Sequence, residues 1–307
     1  MSGGEPWRRR VAVAPEVLEF ATDDPIAARA LEALYHAAPA SADAPTLRYA
    51  LRRAVPGAGA GGGEEAAPDR ASGGWVATCP ARPPFGPVSL EDGWAFLEWR
   101  ATEDLLGAAA LAPEGSVFLH AGGVVIGSRL ALVIGASGAG KTTLVAHLLL
   151  RGHRMLGDDL VRFTPRDGSF SAVGRSLKLD DNSLRSMPFI ASRCAGGGVG
   201  TLLAAGCSYV SPAAIRRDWA AAPARPWAVV LLDPQRRGDA SGIVPTSEGE
   251  AAIVVTQSVL GGSTQAGGGV RAGTAARLLE ALADTVAWRA VGTDPAAVAA
   301  ALEREAA

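Results

Sequence analysis

Lysine is almost missing from this chain of 307 residues. Of its 29 basic residues only Lys141 and Lys178 are lysine, and the others are arginine. With abundant Ala and 38 Gly, this is the composition of a GC-rich genome, in which Lys drifts to Arg wherever charge alone matters. A lysine kept in that background marks a position where a compact ammonium is needed and a planar guanidinium does not fit. Cysteine is equally sparse. Cys79, Cys194 and Cys207 share no metal-ligand spacing, and three cysteines exclude a disulfide framework and point to a reducing compartment. Charge of one sign is also lacking: the net charge is −2, from 29 basic and 31 acidic residues, which excludes an electrostatic case for a nucleic-acid partner. Long apolar runs are absent too. The uncharged stretches Cys194–Ile215 and Ala251–Val270 are rich in Gly and Ser, too polar to span a bilayer. Arg8-Arg9-Arg10 precedes an apolar stretch cut by Glu16 and Glu19, which does not read as a signal peptide. A soluble cytoplasmic protein without membrane or nucleic-acid partners is expected.

What is present is a chain 48% hydrophobic and 20% charged, enough for one large domain or two modest ones. An extended segment is expected at Val11–Val13. A helix follows, with Asp24 as N-cap, Pro25 at the first helical position, and Ile26, Ala30, Leu31, Leu34 and Tyr35 on one face. Leu47–Arg53 and Trp75–Thr78 read as strands. Between them Pro56–Pro68 is Gly/Ala-dominated and aperiodic, a flexible tip or linker. Leu90–Leu111 reads as an amphipathic helix carrying Trp94, Leu97 and Leu105.

From Val117 the texture changes. Short apolar runs at Val117–Leu119, Val124–Ile126, Leu130–Ile134, Arg154–Leu156, Leu160–Phe163, Trp227–Leu232 and Ile253–Val255 alternate with Gly-rich turns, and read as strands of a mixed α/β core. Arg271–Val291 reads as one long helix, and Asp294-Pro295 caps a last one. Two regions are expected: residues 1–112, α+β, with a flexible loop at 56–74, and residues 113–307. Ser192–Gly206 is expected to be mobile.

Gly135-Ala136-Ser137-Gly138-Ala139-Gly140-Lys141-Thr142 fits G-x-x-x-x-G-K-[ST] at every fixed position, between a strand at Leu130–Ile134 and a helix at Thr142–Leu150. The glycines let backbone N–H groups turn inward around phosphate oxygens, and the helix N-terminus adds its positive end. Lys141 then reaches the terminal phosphates, the Thr142 hydroxyl holds Mg²⁺, and Thr143 completes the cradle. The helix stops at Arg151-Gly152. Seventeen residues beyond the loop lysine come Asp158 and Asp159. Beside a triphosphate, two adjacent carboxylates can divide the work, one toward Mg²⁺ and the other taking a proton from an incoming hydroxyl.

The run from His120 through the loop to Arg151-Gly-His-Arg-x-x-x-Asp158-Asp159 resembles the catalytic core of the HPr serine kinases. It is closer still to the HPr-kinase-like proteins, including those found with lasso-peptide and other modified-peptide biosynthesis genes. The likeness is specific over Gly115–Leu179 and looser over Tyr209–Pro212 and Val229–Asp233. It implies a P-loop-containing mixed-sheet core shared with phosphoenolpyruvate carboxykinase. It also implies Asp158 as catalytic base, Asp159 as a carboxylate near the metal, and His120 beside the base to tune it. His147 and His153 have no matching role and are read as structural. The Glu-x-Arg-Gly signature that supports the phosphorolysis reaction in true HPr kinases is missing. Gly174-Arg175-Ser176-Leu177-Lys178-Leu179 stands in its place; the HPr-kinase-like proteins tend to show a Leu-Lys-Leu-type strand there, and the resemblance makes Lys178 a candidate phosphate or substrate contact. Asp180 or Asp181 either replaces the missing carboxylate or caps a helix at Asn182–Ser186.

The resemblance implies an ATP- and Mg²⁺-dependent kinase acting on a hydroxyl, with a serine of a peptide or small protein as the preferred acceptor. A small-molecule acceptor, or a nucleotide-binding regulatory or assembly protein, are the rival readings. Homo-oligomerisation is left open.

Overall fold

A computed structural model describes residues 6–13, 16–35, 38, 40–54, 74–111, 116–195, 201–204, 207–233, 241–260, 272–292 and 294–307. The expected flexible loop at 56–74 lies, apart from Gly74, outside the described residues, as do 196–200 and 205–206 of the segment expected to be mobile.

The N-terminal layer runs β1 (Trp7–Val13), β2 (Glu16–Thr22), α1 (Pro25–Ala33), β3 (Leu47–Arg53), β4 (Trp75–Thr78), β5 (Phe85–Val88) and α2 (Leu90–Leu111). Its five strands form one sheet in sequence order. α1 begins as the sequence predicts: the Asp24 carboxylate accepts from the N–H groups of Ile26 and Ala27, and Pro25 opens the first turn. Ile26, expected on the buried face, is instead 52% exposed, while Ala30, Leu31, Leu34 and Tyr35 are buried. The buried stripe starts instead at Ala27 in the first turn and runs through Ala30, Leu31 and Leu34, which leaves Ile26 to one side of it. Trp94 of α2 is 1% exposed; its indole N–H donates to the Ala30 carbonyl at 2.8 Å, which satisfies the polar handle of a buried ring.

The remainder comprises β6 (Val117–Leu119), β7 (Ala121–Ile126), β8 (Arg129–Gly135), α3 (Lys141–Leu150), β9 (Arg154–Gly157), β10 (Val161–Thr164), β11 (Ser169–Ala172), β12 (Leu177–Leu179), α4 (Asp181–Ser186) and α5 (Pro188–Ala195). It continues with β13 (Thr201–Ala204), β14 (Cys207–Val210), α6 (Pro212–Ile215), β15 (Pro226–Leu232), β16 (Gly242–Pro245), α7 (Glu248–Gln257), β17 (Val259–Leu260), α8 (Ala272–Leu282), β18 (Val286–Val291) and α9 (Pro295–Ala306). The protein is mixed α/β. A central six-stranded sheet has the order β16-β18-β15-β8-β7-β9, beside sheets of order β11-β10-β6-β17 and β12-β14-β13.

The central strands are apolar on both faces because both are covered. Along β8, Ala131 and Val133 join the core packed on α3 and α9, whereas Leu130, Leu132 and Ile134 join the core packed on α7 and α8. β15 divides the same way, Ala228 and Val230 against Val229 and Leu231, as the two-residue period of a strand requires.

Two expected elements differ. Ile253–Val255 is helical, inside α7, because Ser247 caps the helix and accepts from the Glu250 N–H at 3.1 Å. Three residues of propensity do not outweigh that cap and the burial of Ala251 and Val255. The long helix expected over Arg271–Val291 ends at Leu282. Val286–Val291 is β18, paired parallel to β15 from Ala228↔Val286 to Leu232↔Ala290.

Strand direction places the site. β15 runs parallel to β8, and β18 parallel to β15. β7 is antiparallel to both β8 and β9. The C-terminal ends of β8, β9, β15 and β18 and the start of β7 therefore lie along one edge, the edge where α/β sheets bind ligands. The N-terminal layer is continuous with this core, since Phe118, Leu160, Val173 and Tyr209 belong to the same buried cluster as Phe20, Tyr49 and Trp94.

Candidate functional site

At the C-terminal end of β8 the chain turns through residues 135–140 into α3. Gly138 and Gly140 have φ of 76° and 91°, the left-handed region that only glycine occupies without strain. Gly140 is the N-cap of α3 and provides no side-chain cap bond, which leaves the first helical N–H groups directed at the loop's mouth. Gly140→Ala meets no neighbour within 4 Å among the described residues, so its cost is purely conformational. A loss of about 1–2 kcal/mol of stability is expected, read as a lowered Tm.

Lys141 opens α3 and is 5% exposed. Its ammonium donates to the carbonyls of Gly135 at 2.9 Å and Ala136 at 3.2 Å and to His120 Nε2 at 2.9 Å. Burial lowers its pKa, and the carboxylates of Asp159 and Asp158 act against that. An ammonium has no acceptor to offer, so His120 Nε2 must accept and the ring proton sits on Nδ1. From there it donates to Asp159 Oδ1 at 3.0 Å.

The sequence resemblance implies His120 beside Asp158. The ring pairs instead with Asp159, for a geometric reason. β9 ends at Gly157, and the chain bends at Asp158 and Asp159, which sends the two side chains to different surroundings. Asp159 turns out onto the cleft, its side chain 44% exposed. Asp158 turns inward, 3% exposed, and its carboxylate accepts from the Thr142 hydroxyl and the Lys178 backbone N–H. Burial first, and the Asp159 charge second, push the Asp158 pKa up to about 7. Its Oδ2 is buried with no hydrogen-bond partner among the described residues. An unsatisfied carboxylate oxygen next to the phosphate-loop threonine fits a hard divalent cation, which takes oxygen ligands.

The raised Asp158 pKa has a consequence for stability. Between about pH 4 and 7 the folded chain keeps a proton there that the unfolded chain has lost, so without metal this group lowers stability as pH rises, and the effect levels off above 7. At about 1.4 kcal/mol for each tenfold change in proton affinity, the cost reaches a few kcal/mol. Asp158→Asn is expected to flatten that fall, gaining Tm at pH 8 and little at pH 4. An unchanged pH–Tm profile would contradict the burial argument.

The loop and the carboxylates open on a cleft of about 700 Å³ lined by His120, residues 137–144, Asp159, Lys178, Asp180, Asn182, Ser183 and, on the far side, Leu232, Asp233, Ala290, Gly292, Asp294, Pro295 and Val298. This volume lies in the range of small-molecule sites. Both lysines of the chain thus meet at one cleft. Lys178, on β12, holds its ammonium 5.8 Å from the Tyr209 ring centroid. Asp180 is the N-cap of α4 and accepts from the Ser183 N–H at 2.7 Å, the capping alternative of its two expected roles. Thr143 Oγ1 lies 2.7 Å from Ser183 Oγ, tying α3 to α4. His147 lies 3.4 Å from Ser186 Oγ and His153 lies 2.7 Å from Glu303; neither lines the cleft.

Two cleft-side residues carry no signal that the sequence alone makes visible. Asp233 follows β15, whose Leu232 pairs with Gly135 of the loop strand, and Arg289 Nη1 lies 3.6 Å from it. An apolar run ending in Asp gains meaning only once β15 is known to neighbour β8. Arg175 approaches Asp159 Oδ2 at 4.0 Å, a contact between residues of two separate connecting segments.

The sequence matches no protein-family model and no curated protein. Among solved structures, the chain is similar to the HPr(Ser) kinase/phosphatase from Coxiella burnetii at 12% identity and a TM-score of 0.29, over 62% of this chain and 95% of that one. A likeness at that level carries no functional argument, which leaves the geometry of the site itself. No described helix is long and apolar enough to cross a membrane.

Proposed function

We propose that the cleft binds ATP with Mg²⁺ and transfers the γ-phosphoryl group to a hydroxyl, the acceptor being a serine of a peptide or small protein. One observation carries this reading: the loop lysine is joined through His120 to a carboxylate that faces the cleft, while a second, buried carboxylate is held by the loop threonine. A site that only binds a nucleotide with its metal needs the loop, the lysine and one metal-holding carboxylate; it has no use for a second carboxylate held open to the cleft.

Each residue has its own part in the work. The loop N–H groups and the α3 N-terminus cradle the phosphates. Lys141 exchanges its carbonyl partners for the terminal phosphate oxygens, on which charge builds during transfer. Thr142 and Asp158 would hold Mg²⁺, which when bound supplies charge neutralisation across the phosphates. Asp159, oriented by His120 Nδ1–H, accepts the proton of the incoming hydroxyl. This exchanges the roles that the resemblance implies for the two carboxylates: Asp158 is shut in and Asp159 is reachable. Lys178, on the rim, draws the acceptor or its phosphorylated product by charge.

The test is incubation with γ-labelled ATP, Mg²⁺ and serine-containing peptides, with and without Lys178→Ala. Label on a serine hydroxyl of a peptide, reduced in the variant, supports the reading. ATP bound but label passed to no peptide would contradict the assigned acceptor class.

A further inference from the structure

The carboxylate assigned as base is gripped from two sides. Oδ1 accepts from His120 Nδ1–H at 3.0 Å, and Oδ2 faces the Arg175 guanidinium at 4.0 Å. The other end of that guanidinium is in ion-pair contact with Glu98 of α2, and both side chains are about one-fifth exposed. Arg175 is thus fixed by the N-terminal layer. The segment carrying it is pressed against that layer as well: Gly174 has φ of 77° and sits so close to Ala38 that a Cβ there would lie 2.6 Å from the Ala38 Cα. Tyr209 on β14, which pairs with β12, packs edge-on against Trp94 of α2 with ring centroids 4.4 Å apart.

We propose that Glu98 and Arg175 form a positioning pair through which the N-terminal layer sets the Asp159 carboxylate for proton transfer. The proposal rests on the reading of the cleft as a phosphotransferase site, and it gives the N-terminal layer a role inside the reaction. A half-exposed aspartate has two rotatable bonds, and His120 alone restrains one oxygen. The Arg175 charge 4.0 Å from the second oxygen biases the carboxylate plane by electrostatic attraction, and the ion pair with Glu98 holds the guanidinium back from the phosphates. The planar fork of arginine presents its N–H groups in a fixed geometry, one nitrogen toward each carboxylate, where a lysine ammonium offers a point charge on a flexible stem.

The test is a double-mutant cycle with a readout independent of turnover. Arg175→Gln is expected to lower the ATP-dependent rate about 10-fold with nucleotide affinity changed less than about 3-fold, and to have no further effect in an Asp159→Asn background, because contacting residues are non-additive. Glu98→Gln, which leaves Arg175 in place, is expected to give a smaller loss in the same direction. Equal losses from Arg175→Gln in both backgrounds would overturn the proposal. The second readout is the His120 ring in a ¹H–¹⁵N spectrum. The parent is expected to show a protonated, protected Nδ1 and an accepting Nε2, and both Arg175→Gln and Glu98→Gln should shift and broaden the Nδ1–H signal. An unchanged His120 signal in two folded variants would also overturn it. This spectrum reports even if the parent transfers no phosphate, so failure of the positioning pair and failure of the kinase reading give separate results.

Discussion

Asp159→Asn is expected to lower phosphoryl transfer by about 10²–10⁴-fold, the range for loss of a general base, while ATP affinity changes by no more than a few-fold. The amide keeps the size of the carboxylate and can still accept from His120 Nδ1–H, now at 3.0 Å from the carboxylate oxygen, so the ring and the Lys141 contact behind it persist. What disappears is the basicity. Asp158→Asn should behave differently. Asp158 is buried beneath Thr142, so its loss weakens the Mg²⁺-dependent part of nucleotide binding before it affects proton transfer. Titrations of ATP with and without Mg²⁺ separate the two: the Asp158 variant loses the metal's contribution and the Asp159 variant keeps it. Asp158→Asn leaving metal-dependent affinity intact, with Asp159→Asn fully active, would restore the assignment implied by the sequence resemblance.

Lys141→Met carries the second large effect. Methionine fills the same channel without charge, so the helix and loop should stay folded. The substitution removes a buried cation and its desolvation cost but also takes the donor away from the Gly135 and Ala136 carbonyls and His120 Nε2, so stability is expected to hold or fall slightly. Triphosphate affinity should fall strongly, and the rate should fall by about 10²–10³-fold, the scale for removing one preorganised electrostatic contact to the reacting group. Lys141→Arg is not expected to rescue. The ammonium lies within 3.2 Å of three acceptors at 5% exposure, and a planar five-donor group does not fit there. Calorimetric titration with a non-hydrolysable ATP analogue measures the binding effect directly, and a variant that binds like the parent would remove the lysine from the site.

The phosphate loop is legible in the sequence because its demands are local. Glycines at fixed spacing, one lysine and one threonine between a strand and a helix are visible without knowing the fold, and the shortage of lysine draws attention to Lys141 and Lys178 for the same reason. What the pair at 158–159 does is not legible. Which carboxylate turns inward depends on where β9 ends and on what packs above it, so the pattern Asp-Asp alone leaves the two equivalent. Asp233 and Arg175 are invisible for a related reason: each matters through a neighbour more than 40 residues away in sequence, Gly135 and Glu98. The segments that depart from expectation follow the same logic. Ile253–Val255 has strand propensity, but the Ser247 cap and the packing of α7 on the central sheet decide for helix. Val286–Val291 becomes a strand because β15 offers it a parallel partner.

The most direct test of the central claim is a single-turnover experiment in which stoichiometric γ-labelled ATP and Mg²⁺ are mixed with parent, Asp159→Asn and Lys141→Met protein. Loss of the γ-phosphate is followed over time. The account predicts that the parent releases or transfers the phosphate, that the Asp159 variant binds ATP yet retains it intact, and that the Lys141 variant binds too weakly to be assayed at stoichiometric concentration. A parent that binds ATP and never cleaves it, with the Asp159 variant indistinguishable, would contradict the phosphotransferase reading and leave a nucleotide-binding protein.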